Sequence, residues 1–207
     1  MHNEEIDKFL IGLYPFLDER ATKLCKKYYL SCIDGARTLP LITPREIDIT
    51  LTIENKQKEL VRKYKFELKN FGGKYNFYFF NKCLCPPSES DMNHIKGDLL
   101  TKIIFNFSGK SLFIEYLKDE ARKLGGKDGW VWVIKTKEKK QKLSITHTFD
   151  NENPLMINIK DIKHGQPILG INMCDHIYYN QYGNTNDYID SIKNIINWKF
   201  VQYCFDN

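Results

Sequence analysis

The chain has 207 residues, 42% hydrophobic and 28% charged, an ordinary globular balance. That length holds one large domain or two small ones, and a core needs no disulfide staples. Lysine and arginine exceed aspartate and glutamate by 31 − 26 = 5; this mild excess suits RNA or another anionic partner without requiring one, and no stretch reaches the ~18 apolar residues of a membrane span.

Residues 4–34 show helical periodicity. Ile6, Leu10, Leu13 and Phe16 line one face, followed by Leu17, Ala21 and Leu24, with a break expected at Pro15. The region reads as a packing appendage or, more sharply, as a docking arm for a partner. Glu4, Glu5 and Asp7 come early, whereas organellar presequences avoid acidic residues. Either the chain is not imported by that route, or its numbering begins after processing, or it uses an internal signal.

Thr50 to Phe71 suits a long helix rich in Lys and Glu, with Gly72 and Gly73 as its stop. Tyr75 to Phe80, YNFYFF, suits a strand when read alone. Cys85 to Asp91 reads as a loop between a helical half and a mixed half. Ser111 to Leu124 is an amphipathic helix stopped by Gly125 and Gly126. Trp130–Lys135 and Lys142–Phe149 read as strands joined by a charged hairpin, and a third strand is expected over Pro167–Asn172. Asp187 to Phe200 reads as one final helix. The order of elements predicts an α+β fold with an antiparallel sheet. The six cysteines form no regular framework and read as free thiols; Cys83 and Cys85 lack the second pair or nearby His that a zinc site needs.

One segment is far more specific. GINMCDHIYYNQYGNTNDYIDSIKNIINWKFV, Gly170 to Val201, resembles the C-terminal signature of the iron/manganese superoxide dismutases. GWVWV at Gly129–Val133 and KLSITHTFDNENPL at Lys142–Leu155 are similar to two further stretches of that family. TIENK ending at Lys56, followed by Tyr64, and FFNK ending at Lys82 resemble its two helical motifs. The resemblance covers roughly residues 38–205. It implies an N-terminal helical hairpin domain over 38–88 and a C-terminal α+β domain over 89–207, with a three-stranded antiparallel sheet. Residues 1–37 form an extension, and YNFYFF becomes helical.

The family binds one iron or manganese ion through three His and one Asp. Here the resemblance puts Lys56, Lys82, Asn172 and His176 at those four positions. Two ammonium groups repel a cation, and an amide lacks the carboxylate's charge. Around them, the family's gateway Tyr falls on Tyr64, its solvent-binding Gln on Tyr78 or Asn151, and its Trp on Cys174. Asp175, His176 and Tyr179 correspond to residues that meet across the family's two-fold dimer interface.

The resemblance therefore implies no catalytic residues, no bound metal and no cofactor: not an enzyme, but a structural subunit of a larger assembly. The small subunit of a mitochondrial ribosome is the assembly it suggests. Expected partners are protein subunits of such a complex, another dismutase-like chain in a homo- or heterodimer, and ribosomal RNA against Lys56–Lys74 or the Lys135–Lys142 hairpin. The location is mitochondrial, with cytoplasmic as the alternative. Two other functions stand beside this one: an active or partly active dismutase with altered ligands, and a free-standing dismutase-like interaction protein.

Overall fold

Three strands rich in Trp, Val, Ile and Thr organise the C-terminal half. They are β1 (Gly129–Thr136), β2 (Leu143–Phe149) and β3 (Gly165–Asn172), paired antiparallel in the order β2-β1-β3. All three expected strands are present, and the class is α+β. The computed structural model describes residues 13, 16–24, 26, 27, 30, 65–136, 142–156, 159 and 161–207. Lys56, Tyr64 and residues 137–141 of the hairpin lie outside the described residues.

The central strand β1 is buried from Gly129 through Ile134. Such a strand needs cover on both faces. One cover is α1 (Lys65–Lys82), whose Phe77 and Phe80 meet Trp130 and whose Phe79 meets Trp132. The aromatic run YNFYFF is thus helical. Another cover is α3 (Lys110–Arg122), which buries Phe113, Ile114, Leu117 and Ala121 and contacts both β1 and β2.

Gly72 and Gly73 do not end α1, contrary to the sequence expectation; the helix runs through them. A side chain at Gly72 would collide with the Asn151 carbonyl and Met156. Close approach, rather than helix termination, is why glycine stands there. Asp187–Phe200 is likewise not one helix. It divides into α5 (Thr185–Ile192), a 3-10 turn (Lys193–Ile195) and α6 (Trp198–Asp206). Asn197 restarts the chain as an N-cap, its side chain accepting the Phe200 amide at 3.1 Å. A helix not anticipated from the sequence, α2 (Gly97–Phe107), buries Leu99, Ile103 and Phe107, spaced four apart on one face.

The described part of the N-terminal extension packs on this body. Residues 19–24 are helical, and Leu13, Leu17 and Ala21 join the main core. The Tyr182 hydroxyl donates to the Phe16 carbonyl at 2.6 Å, and the Asp18 amide donates to Gln181 Oε1 at 2.9 Å.

Lys118 of α3 is mostly buried, and its ammonium bridges Glu115 at 2.9 Å and Asp190 of α5 at 2.7 Å. The hydrogen bond from Lys118 holds the Asp190 carboxyl below the usual carboxylate range. A depressed carboxyl contributes stability above its unfolded value near pH 4, and that contribution disappears as pH falls through the lower folded value. Lys118→Met should cost about 1–2 kcal/mol at neutral pH, since Asp190 keeps partial hydration and Lys193. It should also flatten the loss of stability below about pH 4. Urea unfolding at pH 7 and pH 3 measures both.

Candidate functional site

The end of β3 and the start of β1 lie side by side. Asn172 is the last residue of β3 and pairs across the sheet with Trp130, and the Met173 amide donates to the Gly129 carbonyl at 2.9 Å. The chain then turns into α4 (Asp175–Tyr182) with Cys174 at the N-cap. His176 therefore sits in the first turn of α4, beside the loop that ends at Asp128.

Asn172 is 0% exposed. Its Oδ1 accepts the Cys174 amide at 2.8 Å, and its Nδ2 has no hydrogen-bond partner among the described residues. The oxygen that would serve a cation is thus engaged by the backbone, and the other end of the amide is a donor. A buried donor without a partner costs roughly 1–3 kcal/mol. Asn172 does not fit the part of an anionic metal ligand.

His176 has Nδ1 3.9 Å from Asp128 Oδ1. The same Oδ1 accepts the Asp175 amide at 3.2 Å. Asp128, Cys174 and His176 form a cluster whose ligand atoms lie within 4.8 Å of one another. Sequence reasoning missed Asp128, for it belongs to the loop before β1 and no local spacing ties it to α4. Asp175 accepts the Tyr178 hydroxyl at 3.0 Å within its own helix, while Tyr179 is 58% exposed.

Lys82 is not brought to this place. It is exposed at the end of α1, its ammonium 5.7 Å from the Tyr78 ring centroid. Tyr78 is half-buried and belongs to that outer contact. The α1 side chains that meet Trp130, the pairing neighbour of Asn172, are Phe77 and Phe80. Asn151 lies in the turn after β2, its carbonyl against Gly72. Next to it runs a buried polar relay: Asn153 Nδ2 donates to Asn76 Oδ1 at 3.0 Å, and Asn76 Nδ2 donates to the Glu152 carbonyl at 3.0 Å. Asn76 is therefore spoken for as a packing residue.

Among the other candidates, Cys83 and Cys85 are free, buried thiols. Burial, with Glu89 nearby, pushes the Cys85 thiol up to about 11, and burial pushes Cys83 well up as well. Neither is poised as a thiolate. Of the basic hairpin, Lys135 is tied inward, donating to the Phe205 carbonyl at 2.8 Å.

Comparison with known proteins places this chain in a family. The model for the iron/manganese superoxide dismutases, C-terminal domain, matches residues 95–204. A manganese superoxide dismutase of Buchnera aphidicola is 30% identical over 194 residues, 91% of this chain and 90% of that protein. A mitochondrial manganese superoxide dismutase of Capsicum annuum is 35% identical over 138 residues, 66% of this chain and 58% of that protein. One from Acinetobacter baylyi is 28% identical over 193 residues, 92% of this chain and 80% of that protein. The matched region spans less than two thirds of the length of the Capsicum relative. The chain belongs to the iron/manganese superoxide dismutase family. These relatives overturn the expectation that the chain is not an enzyme, because they are named superoxide dismutases at 28–35% identity.

Proposed function

We propose that this dismutase relative acts on superoxide, as an iron/manganese-class enzyme with an altered ligand set. The position of His176 carries the reading: a histidine four residues after Asn172, where β3 turns into α4, on a scaffold that matches a manganese superoxide dismutase over 90% of its length. His176 is the nitrogen donor. Asn172 orients the Cys174 backbone and brings no charge, so no step of the reaction is assigned to an ion held there. The test loads the purified protein with manganese or iron, measures the bound metal, and follows superoxide loss. A rate above that of the free ion supports the reading. Failure to take up either metal, or metal-loaded protein with no rate, overturns it.

Pairing through Asp175, His176 and Tyr179 is a separate proposal, supported by the exposed Tyr179 ring on α4. It suits a partner that is a second copy or another dismutase-like chain. It also accommodates incorporation into a larger assembly, the small subunit of a mitochondrial ribosome being the one suggested by the sequence resemblance. Tyr179→Lys should convert a dimer to monomers in light scattering while leaving the melting temperature within about 2 °C, since exposed substitutions move stability little. A wild-type protein that is monomeric alone and in extracts of its source would remove the pairing. A mitochondrial location is proposed as well, supported by the mitochondrial plant relatives; fractionation of the source cells tests it.

A further inference from the structure

The geometry points to a binding site for a zinc-class divalent cation formed by Asp128, Cys174 and His176. Zinc held here competes with the redox metal of the superoxide reading for His176, and zinc has no redox chemistry of its own. The site shares His176 with the family position but takes its anionic donors from elsewhere. The three ligand atoms lie within 4.8 Å of one another. Ligand bonds of about 2.0–2.3 Å place the donors of one tetrahedral zinc roughly 3.3–3.7 Å apart. Closing from the observed spacing takes about an ångström of side-chain movement. The side chains of Asp128 and His176 are 41% and 28% exposed, which leaves them room to swing.

The frame that holds the donors is fixed. The Gly129–Met173 backbone hydrogen bond ties the two segments together. Asn172 Oδ1 pins the Cys174 amide at 2.8 Å, and the Asp175 amide holds the Asp128 carboxylate at 3.2 Å. Hydrogen bonds of this kind, one step out from the ligands, set ligand orientation and affinity. The donor set is a thiolate, an imidazole and a carboxylate. That mixture suits zinc and cobalt(II), whereas calcium and magnesium want oxygen alone. Binding converts the thiol to a thiolate and releases a proton to solvent. Three protein ligands leave the fourth position open to water.

The test titrates the full-length, metal-free protein with zinc chloride against a chromophoric chelator, and separately with cobalt(II). The expected result is one equivalent of zinc and a cobalt spectrum with a thiolate charge-transfer band. Cys174→Ser should remove that band. Cys174→Ser, Asp128→Asn and His176→Ala should each weaken zinc by at least about tenfold. Cys85→Ser, at a buried thiol elsewhere, should leave both unchanged. No stoichiometric zinc, a cobalt spectrum without the thiolate band, or full binding in Cys174→Ser would overturn the site. The wild-type cobalt spectrum decides the matter even if a variant does not fold. Zinc binding without dismutation separates this inference from the superoxide reading, and manganese-dependent dismutation without zinc binding separates them the other way.

Discussion

Asn172→Asp should raise affinity for iron or manganese by roughly 100-fold or more. A unit charge placed about 4 Å from a cation is worth ~4 kcal/mol at an effective dielectric of 20, part of which offsets the dehydration of the new carboxylate. The geometry favours the change. One oxygen of the new side chain keeps the Cys174 amide, now held by Asn172 Oδ1 at 2.8 Å. The other replaces Nδ2, a buried donor with no partner among the described residues. The variant carries a distinctive signature in stability. Without metal, a carboxylate at a fully buried position should lower stability by roughly 2–4 kcal/mol. With metal, the order should reverse, and the variant should melt above the wild type. Melting curves with and without manganese, plus metal analysis, read both effects. Equal metal content in the two proteins, with no metal-dependent gain in melting temperature, would show that Asn172 does not face a cation site. The superoxide reading adds that dismutation should rise in parallel with occupancy.

Trp132→Ala is expected to be the most damaging single change in the described core, costing about 3–5 kcal/mol. For a chain of this size that is roughly a 6–20 °C fall in melting temperature. Trp132 is fully buried in the central strand, with Trp130 stacked at 5.7 Å and Phe79 at 6.1 Å. Gly170 of β3 is shaped to it: a side-chain carbon there would lie 2.6 Å from the indole ring. The indole Nε1 donates to Thr148 Oγ1 at 2.9 Å, and Thr148 donates on to the Glu152 carbonyl at 2.7 Å. Truncation leaves a cavity in the sheet's packing and strips the hydroxyl of its donor. Trp132→Phe should cost less, retaining much of the volume and losing the hydrogen bond. Urea unfolding of the pair separates packing from polarity. Equal stability of Trp132→Ala and the wild type would contradict this packing.

Local features are legible where the chemistry is local. The strands from Gly129 and Leu143 announce themselves by β-branched and aromatic residues, and α3 by its apolar spacing. The four-residue step from Asn172 to His176 can be read directly from the chain, and it coincides with the turn into α4. Tyr75–Phe80 resists reading because it is apolar almost all round, so neither its period nor its buried face follows from composition. Lys82, matched to a ligand position through the resemblance of FFNK, is exposed at the end of α1. Gly72–Gly73 misleads for another reason. A glycine that ends a helix and one that admits a neighbouring backbone are the same letter, and the neighbour here is Asn151, far along the chain.

What the sequence by itself determined is thus the family, the class and the three strands, because strand propensities and turns act between residues a few positions apart. The tertiary structure alone decided which donors meet. Asp128 and Asp175 are 47 positions apart and are joined through the antiparallel pairing of β1 with β3. Register between distant strands is set by burial across the whole sheet. It is that register which sets a carboxylate beside Cys174 and His176 and leaves Asn172 holding a backbone amide.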